Sequence, residues 1–262
     1  MSNNPFLSIT LEGGVKTITF NNPSRKNAIS AEGTQELVKA LGQCTVDGTR
    51  VVVLTGAEGN FCSGADLGGN AMQDPKTYDV TTYLRTGINA AILNIRNMDI
   101  PVIAKVRGVA AGVGANFALA CDMIYAAPEA MFSQIFTNIG LSSDGGGAFF
   151  MLKAMGYPKA FELMATAAKI SAPEALELGL INHLCPEAEL DATVQAMAER
   201  LASGPFVAIQ QTKANLREAL NGTLESALEA EARNQAKNFR SADFVEGVMA
   251  FLQKRKPNFK GE

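Results

Sequence analysis

Tryptophan is absent from these 262 residues, and histidine occurs once, as His183. The four cysteines, Cys44, Cys62, Cys121 and Cys185, lie far apart and form no CxxC pair. With one imidazole and scattered thiols, spacing assembles no zinc-ligand cluster, and no metal is expected. Thiols so placed read as reduced and mostly buried, as in a cytoplasmic protein. Met1–Pro5 has neither the basic start nor the apolar core of a signal peptide. No run of about 18 uncharged apolar residues has the character of a membrane span. The apolar stretch 109–120 is short, and Asp122 ends it. The net charge is −3, from 23 basic and 26 acidic residues, and Lys254-Arg255-Lys256 is too short to make a basic block. Neither nucleic acid nor a membrane is an expected partner.

What is present is apolar material and a regular pattern. Hydrophobic residues make up 47% of the chain, enough for a sizeable core in one large domain. Residues 6–10 and 15–20 read as strands joined at Gly13-Gly14. Leu37, Leu41 and Cys44 recur at helical spacing after Ser30. The continuous run Val51-Val52-Val53-Leu54 reads as a strand buried on both faces. Further strands are expected at 101–106, 123–126 and 132–133, with a helix over 81–97 before the first of them. Helices follow at 146–155, 158–167, 190–202, 205–220, 224–239 and 243–255. Ser171 with Glu174 three residues on has the form of a capping box. This order argues an α/β fold with a core over 1–200 and a helical C-terminal region over 201–262. Residues 68–80 are polar, are broken by Pro75 and read as a mobile segment.

One acid stands out. Asp144 precedes Gly145, Gly146 and Gly147, and uncharged residues flank it on both sides for many positions. Upstream, two Gly/Ala-rich segments can present backbone N–H groups to a ligand. A carboxylate beside such donors can move protons next to a carbonyl. A plainer reading is open: Ser142, Ser143 or Asp144 caps the helix that follows. Capping would lower the Asp144 pKa. Burial among Phe132, Phe136, Phe149 and Phe150 would raise it.

Phe61-Cys62-Ser63-Gly64-Ala65-Asp66-Leu67 and Gly108-Val109-Ala110-Ala111-Gly112-Val113-Gly114-Ala115 resemble the crotonase (enoyl-CoA hydratase/isomerase) superfamily. So do Asn22-Pro23 with Asn27-Ala28, and Ser171-Ala172-Pro173-Glu174-Ala175 before Gly179-Leu180-Ile181. The likeness runs over nearly the whole chain. It implies an α/β crotonase-like spiral of ββα repeats, packed as two near-perpendicular sheets, with a C-terminal helical region that forms trimers or dimers of trimers. It implies an acyl-CoA thioester as ligand, with coenzyme A entering as part of the substrate and no separate cofactor, and a place in fatty acid or other lipid metabolism.

The same resemblance assigns roles. The backbone N–H groups of Ala65 and Val113, the latter after Gly112, would form the oxyanion hole. Lys26 and Ala28 would lie along the pantetheine and phosphate arm, with Ser63, Asp66 and Leu67 near the adenine. Arg25 and Lys26 are the candidate charge partners for phosphates. Asn116, Phe132 and Phe136 would line the acyl pocket, and 68–80 would form a lid. Lys256 and Phe259 would reach a neighbouring subunit's ligand. The two glutamates of crotonase-type hydratases would fall at Asn116 and Phe136, and neither is acidic. Asp144 falls where Δ3,Δ2-enoyl-CoA isomerases and ring-1,2-epoxyphenylacetyl-CoA isomerase-like members carry an acid. The expected reaction is therefore a shift of a 3-enoyl-CoA double bond into conjugation. The alternatives are the epoxide isomerase, a hydratase working through a water, a thioester hydrolase and a binder without chemistry. A related dehalogenase needs a histidine base and a tryptophan, and this chain has no tryptophan.

Overall fold

The first 60 residues set the pattern: two strands, a tight turn and a helix laid back over them. The strands are β1 (Leu7–Glu12) and β2 (Val15–Phe20), antiparallel in register Leu7 to Phe20. The helix is α1 (Ala31–Gln43), whose N-cap Ser30 accepts a hydrogen bond from the Gly33 N–H at 3.1 Å. The computed structural model describes residues 6–68 and 76–261.

The chain continues through β3 (Val51–Gly56), α2 (Val80–Tyr83), a π-helical turn at Leu84–Ile88 and α3 (Asn89–Asn97). Next come β4 (Val102–Val106), β5 (Val109–Ala111), α4 (Val113–Leu119), β6 (Met123–Ala126) and β7 (Met131–Ser133). After a 3-10 turn at Ile135–Ile139 follow α5 (Gly147–Met155), α6 (Tyr157–Ala165), β8 (Lys169–Ser171), α7 (Ala172–Glu177) and β9 (His183–Leu184). The chain ends in α8 (Leu190–Ala202), α9 (Phe206–Asn221), α10 (Leu224–Asn238) and α11 (Ala242–Leu252). Three times a pair of strands is followed by a helix: β1-β2-α1, β4-β5-α4 and β6-β7-α5.

The main sheet has the order β1-β2-β3-β4-β6-β9 and is parallel except for β1. A second sheet has the order β5-β7-β8. Alternation along the strands divides the core in two. Ile18, Val52, Leu54 and Ala104 face the larger cluster with Leu37, Leu41, Ile95 and Phe117. Val51, Val53 and Ile103 face Leu190, Val194 and Ala198 of α8. β3 is thus covered on both faces, which is why its sequence is apolar without a break.

The structure differs from expectation in four places. The segment 110–120 splits into β5 and α4. The helix over 81–97 contains the π-helical turn. β8 and β9 are too short, at three and two residues, to carry an alternation signal. Of the expected lid, residues 69–75 lie outside the described residues, and its end begins α2, where Asp79 accepts from the Thr82 N–H at 3.0 Å. Among the described residues no helix is long and apolar enough to cross a membrane.

The C-terminal helices are tied back to the core by a buried lysine. Lys213 Nζ donates to the Ile95 and Ile100 carbonyls at 3.0 and 2.9 Å and pairs with Asp122 Oδ2 at 2.7 Å. These helices leave large apolar side chains on the surface, among them Leu216, Leu224, Phe239, Phe251 and Leu252.

Candidate active site

Two loops face each other at the end of the main sheet. Cys62 bridges to Ala110, which brings the segment after β3 alongside β5. Gly64 has φ +111°, and a Cβ there would lie 3.1 Å from the Ala111 carbonyl oxygen and 3.9 Å from Gly112 Cα. Glycine is required by both the backbone conformation and the close approach.

The pairing of this loop aims one N–H away from its partner. Ile29 donates to the Gly64 carbonyl at 2.9 Å, and Asp66 donates to the Ile29 carbonyl at 2.8 Å. In a parallel bridge of this kind the residue between, Ala65, turns its own N–H to the opposite side. Gly112 (φ 54°, ψ −131°) opens α4, so Val113 is its first residue and its N–H has no intrahelical acceptor. Among the described residues neither the Ala65 nor the Val113 N–H donates to any group.

Asp144 is held beside α4. A Cβ on its neighbour Gly145 would lie 3.2 Å from Ile88 and 3.3 Å from Val113. Its side chain is not a cap. Gly146, at φ 81°, occupies the N-cap position of α5, with no side-chain cap bond. Asp144 Oδ1 is buried and finds no hydrogen-bond partner among the described residues. Burial alone pushes the carboxyl up to about 6. A half-buried acid of that pKa is ionised at neutral pH and still basic enough to take a proton.

The backbone carbonyl of Asp144 is fully used. Its carbonyl accepts from Asn116 Nδ2 at 2.8 Å and from the Gly147 N–H at 3.2 Å. Asn116 Oδ1 accepts from Gln134 Nε2 at 2.7 Å. Gln134 Oε1 accepts from the Ser143 hydroxyl at 3.0 Å. Asn116, expected in the acyl pocket, is fully buried and has both amide ends engaged. Phe136 is buried with its ring near Gly112, since a Cβ there would lie 3.8 Å from Phe136 Cζ. Phe132 is core, paired in β7 with Ala110 and Ile170. Phe149 is exposed, with Lys153 Nζ 5.8 Å from its ring, and Phe150 packs on the core.

Sequence reasoning passed over two residues here. Gln134 carries no local pattern in the sequence, and its partners are 18 and 9 positions away. Tyr83 stands at the π-helical turn, and its phenol is pushed up first by burial, with the Asp144 charge contributing. The π-helical turn itself was a signal that only the structure supplies.

The residues expected along coenzyme A form one surface next to Ala65. Ser63 donates through its N–H to the Lys26 carbonyl at 3.0 Å and through its hydroxyl to the Arg25 carbonyl at 2.9 Å. Arg25 pairs with Asp66, which also accepts from the Gly68 N–H at 2.9 Å. Buried Asn27 braces this corner by donating to the Ala57 and Asn60 carbonyls at 2.8 and 2.7 Å. Ala28 is half-buried there, while Lys26 and Leu67 are exposed. Phe259 lies elsewhere in the chain, in a cavity of about 410 Å3 with Phe244, Gly247 and Phe251. Among the described residues no group of three or more His, Cys, Asp or Glu could hold a metal ion.

The enoyl-CoA hydratase/isomerase family model matches residues 10–262. The chain belongs to this family, the crotonases. It is similar to the probable enoyl-CoA hydratase of Rhodobacter capsulatus, 40% identical over 95% of each chain. It is also similar to the 1,2-epoxyphenylacetyl-CoA isomerase of Escherichia coli, 35% identical over 98% of this chain and 99% of that one. The crystal structure of an enoyl-CoA hydratase from Polaromonas superposes with a TM-score of 0.90 at 32% identity, covering 97% of this chain and 99% of that one. The fold is the crotonase fold, with its ββα repeats and C-terminal helices. The protein is thus a crotonase-family enzyme of hydratase/isomerase type, acting on acyl-CoA substrates. Its relatives are named for water addition, for isomerisation and, in one case, for dehalogenation, so the choice of reaction falls to the site.

Proposed function

We propose that this crotonase is an isomerase that moves the double bond of a 3-enoyl-CoA into conjugation. Asp144 takes a proton from C2 of the thioester. The electron pair delocalises over C2–C4 and the thioester oxygen, giving a dienolate. The N–H groups of Ala65 and Val113 stabilise the charge on that oxygen. Asp144 then returns the proton at C4, which leaves a C2–C3 double bond and consumes no water.

The observation that carries this reading is the state of Asp144: its buried Oδ1 has no partner among the described residues, and burial raises its pKa to about 6. The two positions expected to hold hydratase acids support it. Phe136 cannot activate a water, and the Asn116 amide is engaged at both ends. The test is to offer 3-enoyl-CoA and 2-enoyl-CoA separately to the protein and to D144N. Isomerase activity lost in D144N supports the reading, and formation of 3-hydroxyacyl-CoA as the main activity overturns it.

A second reading is isomerisation of a ring-1,2-epoxyphenylacetyl-CoA, favoured by the full-length similarity to the Escherichia coli enzyme of that name. A panel of linear and aromatic acyl-CoA substrates separates the two. In both readings Lys26, Ala28, Ser63, Asp66, Leu67 and Gly112 receive the coenzyme A arm, and Phe132 and Phe136 support the acyl end. The exposed apolar faces of α9 to α11 favour assembly as a trimer or a dimer of trimers. The four free thiols, all buried, suit a reducing compartment such as the cytoplasm.

A further inference from the structure

The side chains behind Asp144 close into a circuit. Ser143, whose hydroxyl also lies 3.3 Å from the Asp144 carbonyl, donates over its shorter contact to Gln134, Gln134 donates to Asn116, and Asn116 donates to the carbonyl of Asp144, the residue bonded to Ser143. The three distances are 3.0, 2.7 and 2.8 Å. We propose that Gln134 and Ser143 are positioning residues that hold the Asp144 carboxylate at the reacting carbon by fixing its backbone through Asn116. This rests on Asp144 being the base.

Three observations carry it. First, the centre of the circuit is buried: Asn116 is 0% and Gln134 3% exposed, with Ser143 half-buried beside them. A buried amide that loses its partner pays the full desolvation penalty, so the bonds fix one geometry. Second, the circuit touches the main chain of Asp144 and, among the described residues, leaves the carboxylate Oδ1 free. A hydrogen bond to the carboxylate itself would stabilise its charge and weaken it as a base. Holding the backbone orients the acid without that loss. Third, the same segment sets the oxyanion donor. Ser133, next to Gln134, accepts the Gly112 N–H at 2.9 Å at the start of α4. One two-residue stretch therefore fixes both the N–H that receives charge and the acid that moves the proton.

Gly147 leaves the space the circuit needs. A Cβ there would overlap Ser143 Oγ and stand 2.6 Å from Gln134 Oε1 and 2.8 Å from Asn116 Nδ2. The glycines after Asp144 thus do more than turn the chain.

The experiment compares S143A, Q134A and Q134E with the parent and with D144N, using 3-enoyl-CoA as substrate and a saturated acyl-CoA as binding probe. S143A and Q134A should lower kcat about 100-fold, the scale of a 1 Å misplacement. KM and probe affinity should stay within about threefold, because the ground-state contacts are untouched. S143T, which keeps the hydroxyl, should recover most of the rate. In Q134E an ionised carboxylate still accepts from Ser143 but cannot donate to Asn116. Its charge also raises the Asp144 pKa, so the midpoint of the pH–rate profile should move up. A purely structural role would lower the melting temperature of S143A and Q134A and leave the kcat of the folded variants at the parental level. If Q134A does not fold, S143A on the half-buried loop decides alone. Folded S143A with parental kcat, beside an inactive D144N, overturns the circuit and spares the base. Full turnover by D144N overturns the base assignment and the circuit with it.

Discussion

The Asn116 side-chain amide donates to the backbone carbonyl of Asp144 at 2.8 Å. The position where a hydratase of this family would carry one acid thus holds the loop that carries another. The remaining carboxylate is raised by burial to about 6. As a general base it must be ionised in the free enzyme. The kcat/KM for isomerisation should therefore rise with pH through a midpoint near 6 and level off about one unit above it. A profile that falls over that interval would assign the acid form as the active one.

The same burial has a cost in stability with a definite sign. The folded-state pKa of Asp144 lies above the ordinary 3.8. Between those values the folded state binds more protons than the unfolded state, so stability falls as pH rises from about 4 through about 6. D144N removes the buried charge. It should melt higher than the parent at pH 8, by about 2–4 °C for each kcal/mol relieved. The difference should close at acid pH, where the parent carboxyl is neutral. Thermal melts of both proteins at several pH values measure it, and equal melting temperatures at pH 8 would remove the penalty.

The oxyanion assignment is tested at glycine. Gly64 has φ +111°, and a Cβ there would press on the Ala111 carbonyl oxygen at 3.1 Å, so a side chain strains the backbone and crowds its neighbour. G64A should shift the Ala65 N–H and cost about 10²–10³ in kcat, the scale of one lost donor. Steady-state kinetics with acyl-CoA binding measured alongside separates this from loss of substrate affinity.

Lys213 predicts a purely structural effect. Burial lowers its pKa, yet its Nζ is held by Asp122 and two carbonyls. K213M leaves those acceptors without their donor and should destabilise the protein by about 3 kcal/mol, at the low end for a broken buried pair because Asp122 is partly exposed. Urea unfolding measures the loss.

The strands and helices were legible where their periods are long. Val51–Leu54 reads as a doubly buried strand because both its faces are covered. β8 and β9 were not legible, since two or three residues carry no period. Around Asp144 the sequence left cap and base undecided, because both readings use the same local residues. The decision is tertiary: Gly146 takes the cap position in a left-handed conformation, and Oδ1 of the half-buried carboxylate is left without a partner among the described residues. Gln134 was invisible for a related reason. Its meaning lies in Asn116 and Ser143, brought to it by α4 and the loop before α5.

The most direct test of the account is the turnover of 3-enoyl-CoA by the parent and by D144N, with products separated. The parent should form 2-enoyl-CoA with no accumulation of 3-hydroxyacyl-CoA. D144N should lose about 10²–10⁴ in rate while still binding acyl-CoA, the range for a removed general base. Full isomerase turnover by D144N, or hydration as the parent's main reaction, would contradict it.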